Sequence, residues 1–289
     1  MIPENLPDSL PTGDPSVKLV TANTALSLTI KYAEQREPLI VDALNTLNAD
    51  VVCVQEVWNH LTGVVGLAAM LEGSWPYIFY SNINTTPWGN GLMILSKHPL
   101  YRGRHLRFAM NDSSGVIDRI IIGADVVTSD SHFHFLCTHL EPSDVPIRNA
   151  EIAEIRSWAE AEGYLAGKTF LLGDFNTGPA TGPAGCSPTC KPADVTGYDL
   201  LRQDWTDPNE GWDQCTYCRD IATPMQLLGV DPDDPDKRID HCFYRGIGTS
   251  TLQAKAVVLD QSITVTHPQD GEVVTNYSDH LAVSCTFGP

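Results

Sequence analysis

The sequence predicts an α+β fold in which two β-sheets pack together and helices cover their outer sides. Strand-like segments outnumber helix-like ones, and the helices stand between groups of strands. From residue 17 onward the segments follow one another without a Gly/Ser linker or an internal repeat. A chain of 289 residues with 42% hydrophobic residues can bury a large core, so we expect a single domain over residues 17–289.

The first part of the chain begins with a leader and continues with alternating strands and helices. Residues 1–16 are polar and rich in proline, which predicts a flexible N-terminal leader. VKLVTANT and VVCVQE (51–56) are predicted to be buried strands. Between them, apolar residues recur at helical spacing over 32–47, which predicts a helix that tolerates Pro38 only near its first turn. Residues 60–71 are predicted to form the next helix.

The remaining segments are mostly short strands. Turn residues separate YIFYS, GLMILS, RIIIGADVV and HFHFLCTHL, and each is predicted to be a strand. A helix capped by Ser143 or Asp144 follows, and KTFLLGDFN is a strand that runs into a loop. Residues 177–236 are rich in loop residues, and long ordered loops are commonly functional. RIDHCFYRG, TLQAKAVVLD and HLAVSCTF close the chain as strands.

The charge of the chain limits its partners. Asp and Glu outnumber Lys and Arg by 36 to 18, which gives a net charge of −18 and disfavours a broad nucleic-acid groove. Basic residues nevertheless concentrate in residues 97–107, which contain no acid. This stretch is either a solvated loop edge or a docking edge for an anionic group. No apolar run approaches the roughly 18 residues that span a bilayer, so we expect no stable membrane anchor.

The eight cysteines fall into two groups. In apolar, β-branched runs a thiol behaves as a small buried hydrophobic group, and this group comprises Cys53, Cys137, Cys242 and Cys285. The second group lies in loops rich in Gly, Pro and Asp and comprises Cys186, Cys190, Cys215 and Cys218. The loop cysteines could form two disulfides, hold a zinc ion or remain free. Oxidised loop cysteines would indicate a secreted or extracellular protein, although the N-terminus does not resemble a signal peptide.

Polar residues at strand ends carry the functional signal. Apolar strands end repeatedly in Asn, Glu, His or Asp, and such groups are costly to desolvate unless they are paired or bound to a metal. Any one of them could be a cap or turn residue, but strand ends gathered at one sheet edge would bring all of them together. These candidates are Asn23, Glu56, His139, Asp174, Asn176, Asp240, Asp279 and His280.

The motifs around these residues resemble one protein family. In chain order they are QE (55–56), THL (138–140), GDFN (173–176), RIDH (238–241) and SDH (278–280). Together they are highly specific, although any single one is weak. From Val17 to Phe287 the chain resembles the endonuclease/exonuclease/phosphatase superfamily, which includes DNase I, abasic-site endonucleases, inositol-phosphate phosphatases and neutral sphingomyelinases. The resemblance implies a four-layer αββα sandwich of two mostly antiparallel sheets flanked by helices.

The resemblance also implies a metal site. Phosphodiester cleavage needs an activated water, a hard cation and help for the leaving oxygen. Glu56 is the expected primary ligand of Mg²⁺, an ion that takes carboxylates and keeps several waters, and Mn²⁺ or Ca²⁺ could replace it. Asp279 is expected to add a second acidic group to the metal region. Asn23 is also assigned to the metal site, where it would orient the metal water or Asp174.

Catalytic roles follow from the same resemblance. His280 is the expected general base, and Asp240 would orient it and support its charged form. Asp174 and Asn176 would position the nucleophile and the phosphate. His139 would donate to a phosphate oxygen or protonate the leaving group.

Two positions leave alternatives open. Arg119 occupies the place where DNase-like members have a phosphate-binding arginine, but it could instead be a strand-edge cation paired with Asp118 or Asp125. Relatives often pair the counterpart of His139 with an acid from an earlier segment, and the sequence does not identify that acid here.

The stretches around the motifs predict the substrate. WGNGLMILSKHPL and SDHLAVSCTF resemble neutral sphingomyelinases, whereas LCTHLEPSD resembles DNase I. We expect a monomeric phosphodiesterase acting on a phospholipid headgroup or another small phosphodiester, with a DNase I-like endonuclease, and so a nucleic-acid partner, as the alternative. A catalytically inactive binding module would be expected to have lost Glu56, Asp174 or His280. The aromatic residues that could touch a lipid interface, or pack in the core or rim, are Trp75, Tyr77, Trp88, Trp205 and Trp212.

Overall fold

Two open β-sheets lie face to face at the centre of the molecule. This computed structural model describes residues 2–110, 114–179, 195–228, 236–248 and 252–288. The strands of the first sheet are β1 (Val17–Leu26), β2 (Val51–Val57), β3 (Tyr77–Tyr80), β4 (Met93–Ser96), β10 (Leu252–Val258) and β13 (Ala282–Phe287). The strands of the second sheet are β5 (Leu100–Arg107), β6 (Ile120–Val127), β7 (His132–His139), β8 (Thr169–Asp174) and β9 (Asp240–Arg245). Strands β11 (Ser262–His267) and β12 (Gly271–Asn276) form a separate hairpin.

Helices cover the outer side of each sheet. On the first sheet these are α1 (Ala33–Thr46) and α2 (Gly63–Leu71), and on the second they are α3 (Val145–Ala161) and α4 (Val195–Leu201). The short helix α5 (Arg219–Met225) contacts β12, and one 3₁₀ turn (Tyr164–Ala166) follows α3.

Separate apolar clusters fill the three interfaces between these layers. Because neighbouring residues along a strand face opposite sides, Val51 and Cys53 of β2 join the cluster between the two sheets. Val52 and Val54 of the same strand join the cluster beneath α1 and α2. A third cluster lies between the second sheet and α3 and α4. The predicted four-layer αββα sandwich is therefore confirmed.

Strand direction brings several strand ends to one edge of the sandwich. The order is β10-β13-β1-β2-β4-β3 in the first sheet and β5-β6-β7-β8-β9 in the second. The pairs β1–β2 and β7–β8 are parallel, whereas β13 is antiparallel to β1 and β9 is antiparallel to β8. The C-terminal ends of four strands thus lie beside the first residues of β9 and β13. This edge carries the candidate site.

Some elements differ from the predictions. Helix α1 begins at Ala33, so Pro38 lies in its second turn instead of near the first. The Pro38 side chain is exposed, and solvent can bind the Glu34 carbonyl that loses its helical partner. The loop-rich region contains α4 and α5, and the hairpin β11–β12 was not predicted from the alternation pattern.

The basic stretch 97–107 includes an edge strand and is not a loop, and its use as a docking edge for an anionic group stays a prediction. It contains β5, the edge strand of the second sheet, and acids from elsewhere pair with its arginines. Arg102 Nε lies 2.6 Å from Asp125 Oδ2, and Arg107 Nε lies 2.8 Å from Asp118 Oδ1. Both acids lie outside the stretch, in or just before the neighbouring strand β6, so the absence of acid within the stretch did not predict unpaired charge.

Residues 2–16 run along the folded domain and form no regular strand or helix. The Gly13 N–H donates to the Asp130 carbonyl at 3.0 Å, and the Arg102 N–H donates to the Pro3 carbonyl at 2.8 Å. The segment is therefore hydrogen-bonded to β5 and to the connection between β6 and β7, and its flexibility stays a prediction.

The cysteines follow the predictions only in part. A disulfide joins Cys53 of β2 to Cys137 of β7, so the prediction of free buried thiols is wrong for this pair. Both side chains point into the space between the sheets, a relation between distant strands that their local sequences cannot reveal. Cys215 and Cys218 form a second disulfide, which excludes their use as thiolate ligands of zinc. The remaining loop cysteines, Cys186 and Cys190, lie outside the described residues.

Candidate active site

All nine candidate residues gather at the shared edge of the two sheets. Seven of them line one cleft of about 380 Å³, namely Glu56, Arg119, His139, Asp174, Asn176, Asp279 and His280. The other two, Asn23 and Asp240, lie behind this surface and are 4% and 1% exposed. Strands β7, β8 and β9 place His139, Asp174 and Asp240 in one row, because these residues are register partners.

A local distortion of the first sheet aims Glu56 into the cleft. Gln55 is fully buried, and in a regular strand the next residue would point to the opposite face. Glu56 instead adopts a left-handed backbone with φ 60°, and the β1–β2 register shifts between Asn23 and Leu26. The Asn23 amide then donates to Glu56 Oε1 at 3.0 Å and to Asp174 Oδ2 at 3.1 Å. Asn23 therefore links the acids of the two sheets.

The GDFN turn positions Asp174 and Asn176. A Cβ atom on Gly173 would lie 2.1 Å from the Thr138 carbonyl oxygen, so only glycine lets β7 and β8 approach here. The Asn176 backbone N–H donates to Asp174 Oδ1 at 3.0 Å, and its side-chain amide donates to the Leu140 carbonyl at 2.8 Å. The turn is therefore tied to the end of β7, which carries His139.

Asp240 and His280 form a hydrogen-bonded pair between β9 and the segment before β13. His280 Nδ1 lies 3.0 Å from Asp240 Oδ2, which leaves Nε2 directed toward the cleft, 3.8 Å from Asp174 Oδ2. Thr216 supports both partners, because its hydroxyl accepts the Asp240 N–H and its carbonyl accepts the Leu281 N–H. This arrangement favours the His280 tautomer that carries its proton on Nδ1.

The acids of the cleft strongly influence one another. Burial raises the pKa of Glu56, and the nearby Asp279 carboxylate raises it further. Burial and the Asp240 carboxylate raise the pKa of Asp174 to about 7. Neighbouring carboxylates repel one another when both are ionised. A bound cation removes this repulsion and so stabilises their ionised forms.

The two histidines respond in opposite directions. Burial lowers the pKa of His139 well below its ordinary value, and the charges of Arg119 and His280 act in the same direction. Burial also disfavours charged His280, but Asp240 and Asp174 outweigh this effect and raise the pKa of His280 well above its ordinary value. His139 is thus neutral near pH 7, whereas the acids around His280 favour its imidazolium form.

The donor set fits a hard divalent cation. Glu56 and Asp279 provide carboxylates on the cleft surface, and Asp174, Asp240 and His280 offer ligand atoms within 4.8 Å of one another. The Asn23 oxygen accepts the Ala25 N–H at 3.0 Å, so its amide nitrogen faces the acids. Asn23 is thus placed to orient the carboxylates, and its membership of the metal ligands stays a prediction.

Another metal-ligand group lies at the opposite end of β6 and β7. Asp125, His132 and His134 offer atoms within 4.8 Å of one another. Arg102 already donates to both oxygens of Asp125, at 2.6 and 3.0 Å. This group is therefore better described as an ion-paired cluster.

The surroundings of Arg119 and His139 bear on the two alternatives left open by the sequence. Asp118 pairs with Arg107 and Asp125 pairs with Arg102, while Arg119 lines the cleft, and its phosphate-binding role stays a prediction. The acids nearest to His139 are Asp174, with Oδ2 3.6 Å from Nε2, and Glu56, with Oε1 4.0 Å from Nε2. Neither distance is a hydrogen bond.

The structure adds residues that sequence reasoning missed. The Tyr217 ring packs edge-on against His280 at 5.1 Å, and its hydroxyl accepts from Gln226, whose amide also donates to Asp279 at 3.2 Å. Arg36 of α1 is fully buried and donates to the carbonyls of Ala25 and Tyr277, next to the SDH motif. The sequence offered one signal, namely the position of Tyr217 between Cys215 and Cys218. It could not predict the contact of Tyr217 with His280, because the two residues are far apart in the sequence.

The aromatic residues divide between core and cleft. Trp75 and Trp205 are 1% and 2% exposed, so they pack in the interior. Trp88 lines the cleft beside Trp58, whose indole N–H lies 3.4 Å from Glu56 Oε2. In the described part of the chain, no helix is both long enough and apolar enough to cross a membrane.

The fold and the cleft together define a class of protein. The family model described as Endonuclease/Exonuclease/phosphatase family matches residues 21–280. The chain therefore belongs to this family, whose members are metal-dependent phosphoester hydrolases. No curated protein sequence matches the chain significantly.

Solved structures of this class share the whole architecture. Sphingomyelinase C from Streptomyces griseocarneus has 19% identity and a TM-score of 0.68, covering 95% of this chain and 100% of the other. A double mutant of beta toxin from Staphylococcus aureus with bound magnesium ions has 16% identity and a TM-score of 0.69, covering 95% and 100%. A mannosyl-6-phosphatase from Bacteroides thetaiotaomicron has 15% identity and a TM-score of 0.65, covering 95% and 100%. At these identities the likeness concerns the fold.

Proposed function

We propose that the protein is a divalent-metal-dependent phosphodiesterase that hydrolyses a P–O bond with water activated by His280. The observation that carries this proposal is the convergence of Glu56 and Asp279 with the Asp240–His280 pair on one cleft. Acidic metal ligands and an oriented imidazole are the two parts that phosphodiester hydrolysis requires.

Glu56 and Asp279 would hold the cation, with Mg²⁺ as the proposed ion and Mn²⁺ or Ca²⁺ as substitutes. When bound, the cation neutralises charge on the phosphate oxygens. Asn23 and Gln226 hold the two carboxylates in place through hydrogen bonds of 3.0 and 3.2 Å. The donor set of this cleft therefore supplies both charge and orientation.

His280 would act as the base through Nε2, because Nδ1 is engaged by Asp240. A base must start neutral, whereas the surrounding acids raise the pKa of His280. Neutralising the nearby acidic charge removes part of this effect and favours the neutral imidazole. The Asp240 carboxylate then stabilises the imidazolium that forms when His280 takes the proton from water.

His139, Arg119 and Asn176 would bind the phosphate. Because His139 is neutral near pH 7, its N–H suits hydrogen-bond donation to a phosphate oxygen better than protonation of the leaving group. Arg119 and the Asn176 amide line the same cleft and would complete the anion site.

A phospholipid headgroup is the proposed substrate, and another small phosphodiester is the wider class. The sphingomyelinase C of similar architecture supports this choice. The cleft also carries apolar groups at its rim, since Trp88 and Leu228 line it and Leu228 is 96% exposed. The net charge of −18 would repel a long polyanion such as DNA, which makes the DNase I-like activity the second candidate.

The proposal includes secretion into an oxidising environment. The Cys53–Cys137 and Cys215–Cys218 disulfides support it, because reducing compartments keep most thiols free.

A substrate panel tests the function. Sphingomyelin, plasmid DNA, inositol phosphates and bis-p-nitrophenyl phosphate would each be incubated with Mg²⁺ or with EDTA. We expect Mg²⁺-dependent release from sphingomyelin and the nitrophenyl ester, and Glu56→Gln should lower turnover by at least about 100-fold. The exposed Glu72→Gln is the matched control. Cleavage of DNA alone would favour the nuclease, and full activity of Glu56→Gln would contradict the metal assignment.

A further inference from the structure

The four cysteines of the core form two facing pairs between the sheets. On the second sheet, Leu172 of β8 pairs in register with Cys137 of β7 on one side and with Cys242 of β9 on the other. On the first sheet, Cys53 of β2 and Cys285 of β13 lie on opposite sides of β1. All four side chains belong to the apolar cluster between the sheets. Each cysteine of one sheet therefore has a counterpart on the other.

One of these pairs is bonded, and the other consists of two free thiols in the same apolar cluster. The disulfide Cys53–Cys137 spans the sheets with its Cα atoms 5.4 Å apart. Cys242 and Cys285 are free and fully buried. Cys242 Sγ also lies 3.8 Å from the Val283 carbonyl on β13, so the two strands meet at this point.

We propose that Cys242 and Cys285 form a second disulfide between the two central sheets when the protein folds under oxidising conditions. With oxidised glutathione, one thiolate attacks a glutathione sulfur, forms a mixed disulfide and releases one glutathione. The second cysteine thiolate then attacks the protein sulfur of that mixed disulfide and releases the second glutathione. Two protein thiols lose two protons and two electrons, and one glutathione disulfide becomes two thiols.

The bond must form before the sandwich closes. Burial and the neighbouring Cys285 raise the pKa of the Cys242 thiol in the folded protein, and the thiolate is the form that reacts. A fully buried thiol is also out of reach of glutathione. Protein folded in a reducing compartment would therefore keep this pair as thiols even when it is later exposed to an oxidant.

The Cys53–Cys137 bond and the proposed Cys242–Cys285 bond would each link two strands that carry or adjoin residues of the candidate active site. Cys53 and Cys137 lie on the strands that carry Glu56 and His139. Cys242 lies on the strand that begins with Asp240, and Cys285 lies on the strand that follows His280. The second bond would thus fix the two strands between which the Asp240–His280 hydrogen bond forms.

Thiol mapping of the full chain tests this proposal without any substrate. The protein would be refolded in a glutathione redox buffer, denatured without reductant, alkylated and digested for mass spectrometry. We expect a linked peptide pair containing Cys242 and Cys285, with both residues protected from alkylation. The Cys53–Cys137 pair is the internal control for sufficient oxidation. Complete alkylation of Cys242 and Cys285 in molecules that contain the Cys53–Cys137 bond would overturn the proposal.

Thermal unfolding gives a second measurement. Cys242→Ala should lower the Tm of oxidatively refolded protein by roughly 5–10 °C, the scale expected for losing one disulfide in a chain of this size. The difference should shrink by more than half when both proteins are unfolded after folding in reductant. An equal difference under both conditions would mean that Cys242 acts only through packing, and it too would overturn the proposal.

Discussion

Glu151 of α3 should make the domain less stable at alkaline pH. Its side chain is fully buried, and Oε2 accepts the Glu141 backbone N–H at 2.8 Å, two residues beyond His139. Burial raises the pKa of Glu151 to about 8, and the Glu141 carboxylate acts in the same direction. These two effects outweigh the charges of Arg119 and Arg148, which lower the pKa of Glu151.

The sign and size of the effect follow from linkage. The pKa of Glu151 is higher in the folded protein than its ordinary value of 4.5, so its contribution to the free energy of unfolding is complete below about pH 4.5. It is lost progressively as the pH rises through about 8. At about 1.4 kcal/mol per pKa unit, the interval from 4.5 to about 8 corresponds to at most about 5 kcal/mol.

Glu151→Gln removes the titration while keeping an oxygen that can accept the Glu141 N–H. Urea unfolding would be measured from pH 5 to pH 9 for the parent protein, this variant and Glu160→Gln, an exposed glutamate of the same helix. We expect similar stability at pH 5 and a Glu151→Gln variant that is more stable than the parent by about 2–5 kcal/mol at pH 9. Parallel pH curves for the parent and Glu151→Gln would show that Glu151 does not titrate in this range.

Two further predictions concern the base and its support. Asp240→Asn should lower kcat by roughly 10²–10⁴-fold with a small change in KM, because the amide cannot stabilise the imidazolium. Steady-state kinetics on the best panel substrate would show this, and an unchanged kcat would exclude Asp240 as the partner of the base. Tyr217→Phe keeps the ring beside His280 but removes the hydroxyl that accepts from Gln226, so we expect a kcat loss of less than about 10-fold. Tyr217→Ala should cost several-fold more in the same assay, and equal losses for the two variants would contradict a role for the ring.

The polar residues at the strand ends could be predicted from the sequence. Glu56, His139 and Asp174 lie at or near the C-terminal ends of apolar strands, and Asp240 begins one. The structure brings all four to one edge. This was predictable because apolar residues must be buried and polar residues beside them need partners, which are local properties of each segment. The roles assigned to these residues stay predictions.

The sequence could not predict features that depend on a local distortion of the backbone. Glu56 enters the cleft only because its backbone is left-handed, and regular alternation would turn it toward the helices. Whether α1 tolerates Pro38 likewise depends on which side of the helix faces solvent. Such choices are decided by the balance of strain and packing in the complete fold.

The segments, their buried faces and the polar groups at their ends could be read from the amino-acid sequence, because hydrophobic burial and strand periodicity are local properties. Which distant groups meet depends on the packing of the complete fold. The Cys53–Cys137 disulfide, the contact of Tyr217 with His280 and the pairing of Arg102 with Asp125 all join separate elements. Their distances depend on how two sheets and their helices pack, and no single segment encodes that packing.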